Sequence, residues 1–230
     1  MSKIIFEACV DSLDAAIEAE RAGANRIELC SALEIGGVTP SYGLIKTVLE
    51  KLTIPVNVLI RPRGGNFVYS DYEFEAMKHD VVFCRENNIS GIVVGILLPD
   101  FTIDKERTHE LINIAQPMSI TFNRAFDETS DPLDALDTLI ELKVDRLLTS
   151  GQEPDAFTGR YTIKKLVDRA KEKIIIMPGG GINENNIAEI ISYTGVKEIH
   201  GSARIKSDRN DYYTFSKERL YAILNGIKNL

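Results

Sequence analysis

The stretch that decides the fold is Ile4-Ile5-Phe6-Glu7-Ala8-Cys9, followed by the amphipathic run from Ser12 to Ala22 and then by Arg26-Ile27-Glu28-Leu29-Cys30. The first and last segments are short and apolar, with period-two alternation, and read as strands. The middle one places apolar residues at three-to-four spacing and reads as a helix. Asp11 stands where a helix cap is wanted, and Gly23 where the helix should stop. A strand, a helix and a second strand in so few residues form a parallel β-α-β unit.

The same alternation continues to the end of the chain. Further strands are expected at Val56–Ile60, Gly91–Gly95, Ser119–Asn123, Arg146–Thr149, Ile174–Met177 and Glu198–His200. Helical patterns fall at Tyr72–Asn87, Pro132–Leu142 and Ile187–Tyr193, and a last one runs from about Ser216 to Ile227. Thr39 before Pro40, Asp131 before Pro132, and Asn183 are the expected caps. Eight strand–helix units at roughly 29 residues each suit a (βα)8 barrel, a TIM-barrel fold in one domain over residues 1–230. The competing architecture is an open doubly wound sheet, which has fewer strands and a switch point.

Bulk properties exclude several classes of function. The net charge of -7 disfavours a nucleic-acid surface, which needs clustered positive charge. No apolar run is long enough for a membrane span. The apolar part of the N-terminus is too short for a signal peptide, so a cytoplasmic location is expected. Three cysteines, an odd number, are expected to remain reduced thiols.

Strand parity then selects candidate site residues. Ile27 and Leu29 suit the helix-facing side, which turns Glu28 and Cys30 into the lumen, as Phe6 and Ala8 do for Glu7 and Cys9. Glu-x-Cys thus occurs twice, 21 residues apart, on neighbouring strands. The rule also puts Asn57 and Arg61, Thr121 and Asn123, and His200 and Ser202 on inward faces. A lumen is ordinarily filled by Val, Ile and Leu, and unpaired polar groups there cost about 2–7 kcal/mol each. Such a cost points to a site at the C-terminal mouth of the barrel, although Glu28 and Arg61 could instead form a structural ion pair.

The turn Pro178-Gly179-Gly180-Gly181 follows the seventh strand, and Gly201-Ser202-Ala203-Arg204 follows the eighth. Barrels commonly bind phosphate there through backbone N–H groups. Arg63, Ser150, Gly179, Gly180, Gly181, Ser202 and Arg204 are therefore candidate anion-binding residues, unless the glycines merely make tight turns. Cys9 and Cys30 are candidate ligands for a soft metal, or else ordinary buried thiols. Cys84 belongs in the core, and His79 and His109 lie on helices.

Six segments carry a family likeness. They are Arg26-Ile27-Glu28-Leu29-Cys30, Gly36-Gly37-Val38-Thr39-Pro40-Ser41, Ile60-Arg61-Pro62-Arg63-Gly64-Gly65, Tyr69-Ser70-Asp71, Arg124-Ala125-Phe126-Asp127 and Leu148-Thr149-Ser150-Gly151. Together they resemble the CutC copper-homeostasis family, from the first strand to about Arg204. The resemblance implies a (βα)8 barrel, a cytoplasmic location and a homo-oligomer, dimer or tetramer. It also implies a role in copper handling, with Cu(I) bound by some members, and brings no assigned enzymatic activity. Many members have His where this chain has Asn123, and the segment after Arg204 is short.

Two functions follow from these residues. One is a copper-homeostasis protein binding Cu(I) through Cys9 and Cys30 at the mouth, with His200 as a distant third ligand. The other is an enzyme of unassigned reaction acting on a small anionic or phosphorylated metabolite. In it, Glu7 or Glu28 would be the acid or base, Arg61 would stabilise negative charge, and His200 would move protons. A sensor or scaffold without catalysis is a third, weaker reading.

Overall fold

The computed structural model describes residues 4–206 and 213–228. Eight parallel strands form the barrel wall: β1 (Ile5–Val10), β2 (Arg26–Leu29), β3 (Val56–Leu59), β4 (Gly91–Val94), β5 (Ser119–Phe122), β6 (Arg146–Thr149), β7 (Ile175–Pro178) and β8 (Glu198–Gly201). They pair in chain order from β1 to β7, and β8 pairs with the free side of β1. No switch point interrupts that order, which rules out the doubly wound alternative. β7 packs beside β8 without a ladder between them, so the barrel is nearly closed.

Eight helices surround the strands: α1 (Leu13–Ala22), α2 (Tyr42–Lys51), α3 (Asp71–Glu86), α4 (Lys105–Ala115), α5 (Pro132–Glu141), α6 (Arg160–Ala170), α7 (Ile187–Thr194) and α8 (Lys217–Lys228). Their inner faces and the outward strand residues make one core, with Phe6, Ile27, Val58 and Phe122 packed among Ala16, Ala19 and Met77. Burying each large side chain contributes roughly 1.5–3 kcal/mol, so this layer carries most of the driving force.

The start signals are partly displaced. Asp131 caps α5 and Gly23 closes α1 in the left-handed region, both as expected. Ser12, not Asp11, caps α1, because its hydroxyl accepts from Ala15 N at 3.2 Å. Ser41, not Thr39, caps α2, and Thr39 bonds Arg61 backbone instead. Asn186, not Asn183, precedes α7. A short antiparallel ribbon, β9 (Arg204–Lys206) with β10 (Tyr213–Phe215), precedes α8 and was not expected. Three-residue strands carry too little alternation to be read.

One glycine makes room for the polar lumen. A methyl built on Gly91 would stand 2.3 Å from Ser119 Oγ and 2.5 Å from Asn57 Oδ1. Gly91→Ala is therefore expected to lower stability by about 1–3 kcal/mol through overpacking. Urea unfolding with an unchanged slope checks this, and a neutral substitution would show that the lumen can yield.

Candidate functional site

Parity sends Arg26 and Glu28 of β2, and Cys30 just after it, inward beside Glu7 and Cys9 of β1. The register sets Glu7 against both Arg26 and His200, and Cys9 against Glu28. These residues stack into a polar column within the barrel. At its base, Glu198 accepts from Arg26 Nη2 at 2.7 Å and from Arg146 Nε at 2.8 Å. Above it, Glu7 is wholly buried. One of its oxygens accepts from Arg26 Nε and from Asn57 Nδ2 at 3.0 Å, and the other meets His200 Nδ1 at 2.9 Å.

At the top, His200 Nε2 lies 3.5 Å from Glu28 Oε2, and Cys9 Sγ lies 3.6 Å from Cys30 Sγ. Both thiols are free and pack with Leu59 and Val93. The ligand atoms of Cys9, Glu28 and Cys30 lie within 4.8 Å of one another, as do those of Glu7, Glu28 and His200.

The electrostatics of the column are strongly biased. Burial pushes the Glu7 carboxyl up, but the His200 hydrogen bond and the Arg26 charge outweigh it and leave it at about 2. A hydrogen bond from Cys30 pulls Cys9 down against burial, and His200 adds to the pull, holding it at about 5. Cys30, on the donating side of that bond and also buried, goes well up. Burial and the Cys9 charge raise Glu28 well above the carboxylate range. Burial opposes the His200 charge, yet Cys9 and Glu7 together raise it well above the imidazole range. These shifts favour a Cys9 thiolate beside a His200 imidazolium at neutral pH, with Cys30 protonated and the Glu28 carboxyl held well above its ordinary range.

A cavity of about 280 Å³ opens over this layer. Cys9, Cys30, Glu28, His200, Arg61, Gly180, Gly181, Ser202 and Arg204 line it, and Glu7 lies beneath the lining. Arg61 forms no ion pair with Glu28. Its guanidinium donates to the carbonyls of Ile35, Gly37 and Gly65, bracing the loops around the mouth. Arg63 points away, to Glu73 at 2.6 Å and Val68 O at 2.8 Å, and ties its loop to the capping box of α3. Ser150 is buried beneath the rim against Asp127, Glu153 O and Arg124.

Gly179 lies against the site, where a methyl would come 3.2 Å from the His200 ring. Arg204 pairs with Glu34. Asn123 lines the cavity and caps the following turn, accepting from Ala125 N at 2.9 Å. Cys84 is fully buried in α3, and burial raises it to about 12. His79 and His109 are exposed on α3 and α4.

The sequence signature of the CutC family spans residues 4–205. The chain belongs to the CutC family. A human copper homeostasis protein, a cutC homolog, is 48% identical over 204 residues, covering 89% of this chain and 75% of its own length. A CutC family protein of Parabacteroides distasonis is 50% identical over 204 residues, covering 88% and 84%. The crystal structure of a copper homeostasis protein CutC from Streptococcus agalactiae superposes with a TM-score of 0.81 at 38% identity, covering 86% of this chain and 98% of that one. A phosphoribosylanthranilate isomerase from Thermotoga maritima shares the fold alone, with a TM-score of 0.64 at 11% identity.

Three groups of this CutC-family site escaped the sequence reading. Arg26 joins Glu7 to Glu198, and its parity with Glu28 would have revealed it. Arg124 and Asp127 stand in the quoted Arg-Ala-Phe-Asp segment and form an ion pair at 2.8 Å. Arg219 reaches the cavity from α8, and no local pattern signals that.

Proposed function

We propose that this chain binds Cu(I) at the barrel mouth through Cys9 and Cys30, as part of cytosolic copper handling. The observation that carries the reading is a pair of free sulfurs 3.6 Å apart on the wall of an open cavity. Cu(I) is soft and prefers thiolate, and Cys9 supplies one at neutral pH. No backbone movement is needed to bring the donors together.

The sulfur separation bears on coordination. Metal–thiolate bonds of about 2.3 Å, set in line, would need sulfurs about 4.6 Å apart. At 3.6 Å the pair suits a bent arrangement with a third position facing Glu28 and the cavity. With Nδ1 turned to Glu7, Nε2 is the ring nitrogen left for the distant imidazole ligand, and without the ion the ring is the counter-charge to the Cys9 thiolate.

The enzyme reading uses the same cavity. Glu7 is held by three partners beneath the lining, so proton transfer would fall to Glu28 or His200. That reading leaves the thiol pair without a task, and copper binding is favoured for that reason.

The reduced protein should retain Cu(I) against a chromogenic chelator, and the Cys9→Ser/Cys30→Ser double variant should lose affinity by about a hundredfold or more. Cys84→Ser, remote from the mouth, should change nothing. Equal, weak retention by wild type and double variant would sink the reading.

A further inference from the structure

The cavity over the thiols has a second wall with a different chemistry. Arg61 is only 5% exposed and lines the cavity, yet no carboxylate lies in ion-pair range among the described residues. Its Nη groups meet carbonyl dipoles, its buried Nε has no hydrogen-bond partner among the described residues, and its guanidinium lies 4.6 Å over the Phe67 ring, which supplies no counter-charge. Arg219 also lines the cavity; among the described residues its guanidinium bonds the carbonyl of Arg204 and its Nε has no hydrogen-bond partner. Arg124 stands beside them, 42% exposed at its side chain and paired with Asp127. Burying a guanidinium without a counter-charge is costly, and an anion in the cavity would offset that cost.

The backbone adds to this wall. Gly180 and Gly181 both adopt the left-handed region, with φ of 98° and 70°. Their N–H groups have no acceptor among the described residues. Successive amides of this kind make a concave anion nest, here on the β7 side of the mouth. A ligand occupying this small cavity would have thiols on one side and guanidinium and amide donors on the other.

We infer that the mouth holds a subsite for a small carboxylate-bearing thiol, whose carboxylate is taken by Arg61, Arg219 and the Gly180–Gly181 amides while its sulfur faces Cys9 and Cys30. The inference rests on the copper reading for the role of that sulfur, which would occupy the third position on the ion. The arginine wall stands independently of copper. No bond is made or broken in the protein; without copper the ligand binds as an intact thiol, and on the ion its sulfur would bind as thiolate with the proton passing to solvent, to be taken back when the ligand leaves.

Calorimetry on the reduced, metal-free chain tests the subsite with two probes of similar size, 3-mercaptopropionate and the neutral 2-mercaptoethanol. The acid should bind about tenfold more tightly or better, the difference expected from one charge-assisted hydrogen bond. Arg219→Gln should erase most of that preference while leaving the thermal melt intact. Arg61→Lys, which keeps the charge and loses the fork, should weaken it in part. Equal affinity for the two probes, or a preference untouched in Arg219→Gln, overturns the inference. Adding Cu(I) separates the two readings. Copper retention without any carboxylate preference removes the subsite alone, whereas a preference that persists in a chain with no copper affinity supports the subsite and removes the copper reading.

Discussion

Glu7→Gln is expected to remove about 3–5 kcal/mol of unfolding free energy, the usual consequence of taking one partner from a buried ionic group. Glu7 is wholly buried and serves Arg26, Asn57 and His200 at once. Glutamine keeps the shape and loses the charge. Glu198 would then face Arg26 and Arg146 alone, with His200 no longer balanced from below. Urea unfolding measures the loss, and a cost under about 1 kcal/mol would show that the column is not held by charge. The double change Glu7→Leu/Arg26→Met should be milder than the single one, since it removes the stranded Arg26 charge and leaves Glu198 paired with Arg146, so that His200 alone loses its partner.

The same group sets part of the acid limb. Glu7 falls from an ordinary 4.5 to about 2 on folding. Below 4.5 the unfolded chain takes up a proton that the folded chain refuses. The Glu7 contribution is therefore complete above about pH 4.5 and disappears as pH falls toward 2. Glu7→Gln should flatten that part of the stability profile.

Why the mouth was legible follows from parity. Ile27 and Leu29 could only face helices, and that fixed Glu28 and Cys30; the same argument fixed Glu7 and Cys9. Parity gives a face, but it gives neither partner nor height. Arg61 was inward by parity, yet its long side chain turned to the loop carbonyls, where several acceptors outcompete one carboxylate. Arg63 left the mouth because Glu73, ten residues on, was already placed by its own capping box. Caps slipped by one to three residues because Ser, Thr, Asp and Asn crowd the loop ends and only local geometry selects among them. Arg219 was invisible, since it reaches the mouth from the last helix by closure of the whole ring.

Cys30→Ala is expected to raise the Cys9 titration from about 5 back toward the ordinary thiol range, because the Cys30 hydrogen bond is the largest force holding it down. His200→Gln should raise it too, by less. A thiol at about 5 is almost fully ionised at pH 7, while one near 8.5 is ionised to about 3%. The thiolate population at neutrality should therefore fall by about thirtyfold in Cys30→Ala. Ultraviolet thiolate absorbance reads this directly. Wild type should show one step near pH 5, since Cys30 lies well up and Cys84 is at about 12. The consequence for copper is a slope. Above pH 5 only Cys30 has a proton to release on binding, so affinity, corrected for the chelator, should rise about tenfold per pH unit. Below pH 5 both thiols are protonated and the rise should be about a hundredfold per unit. A hundredfold slope persisting through neutrality would mean that Cys9 is an ordinary thiol and that the His200 counter-charge does not act on it. In the Cys30→Ala background a single ligand thiol is left to deprotonate, so the slope should be about tenfold per pH unit below the new Cys9 titration and fall to zero above it.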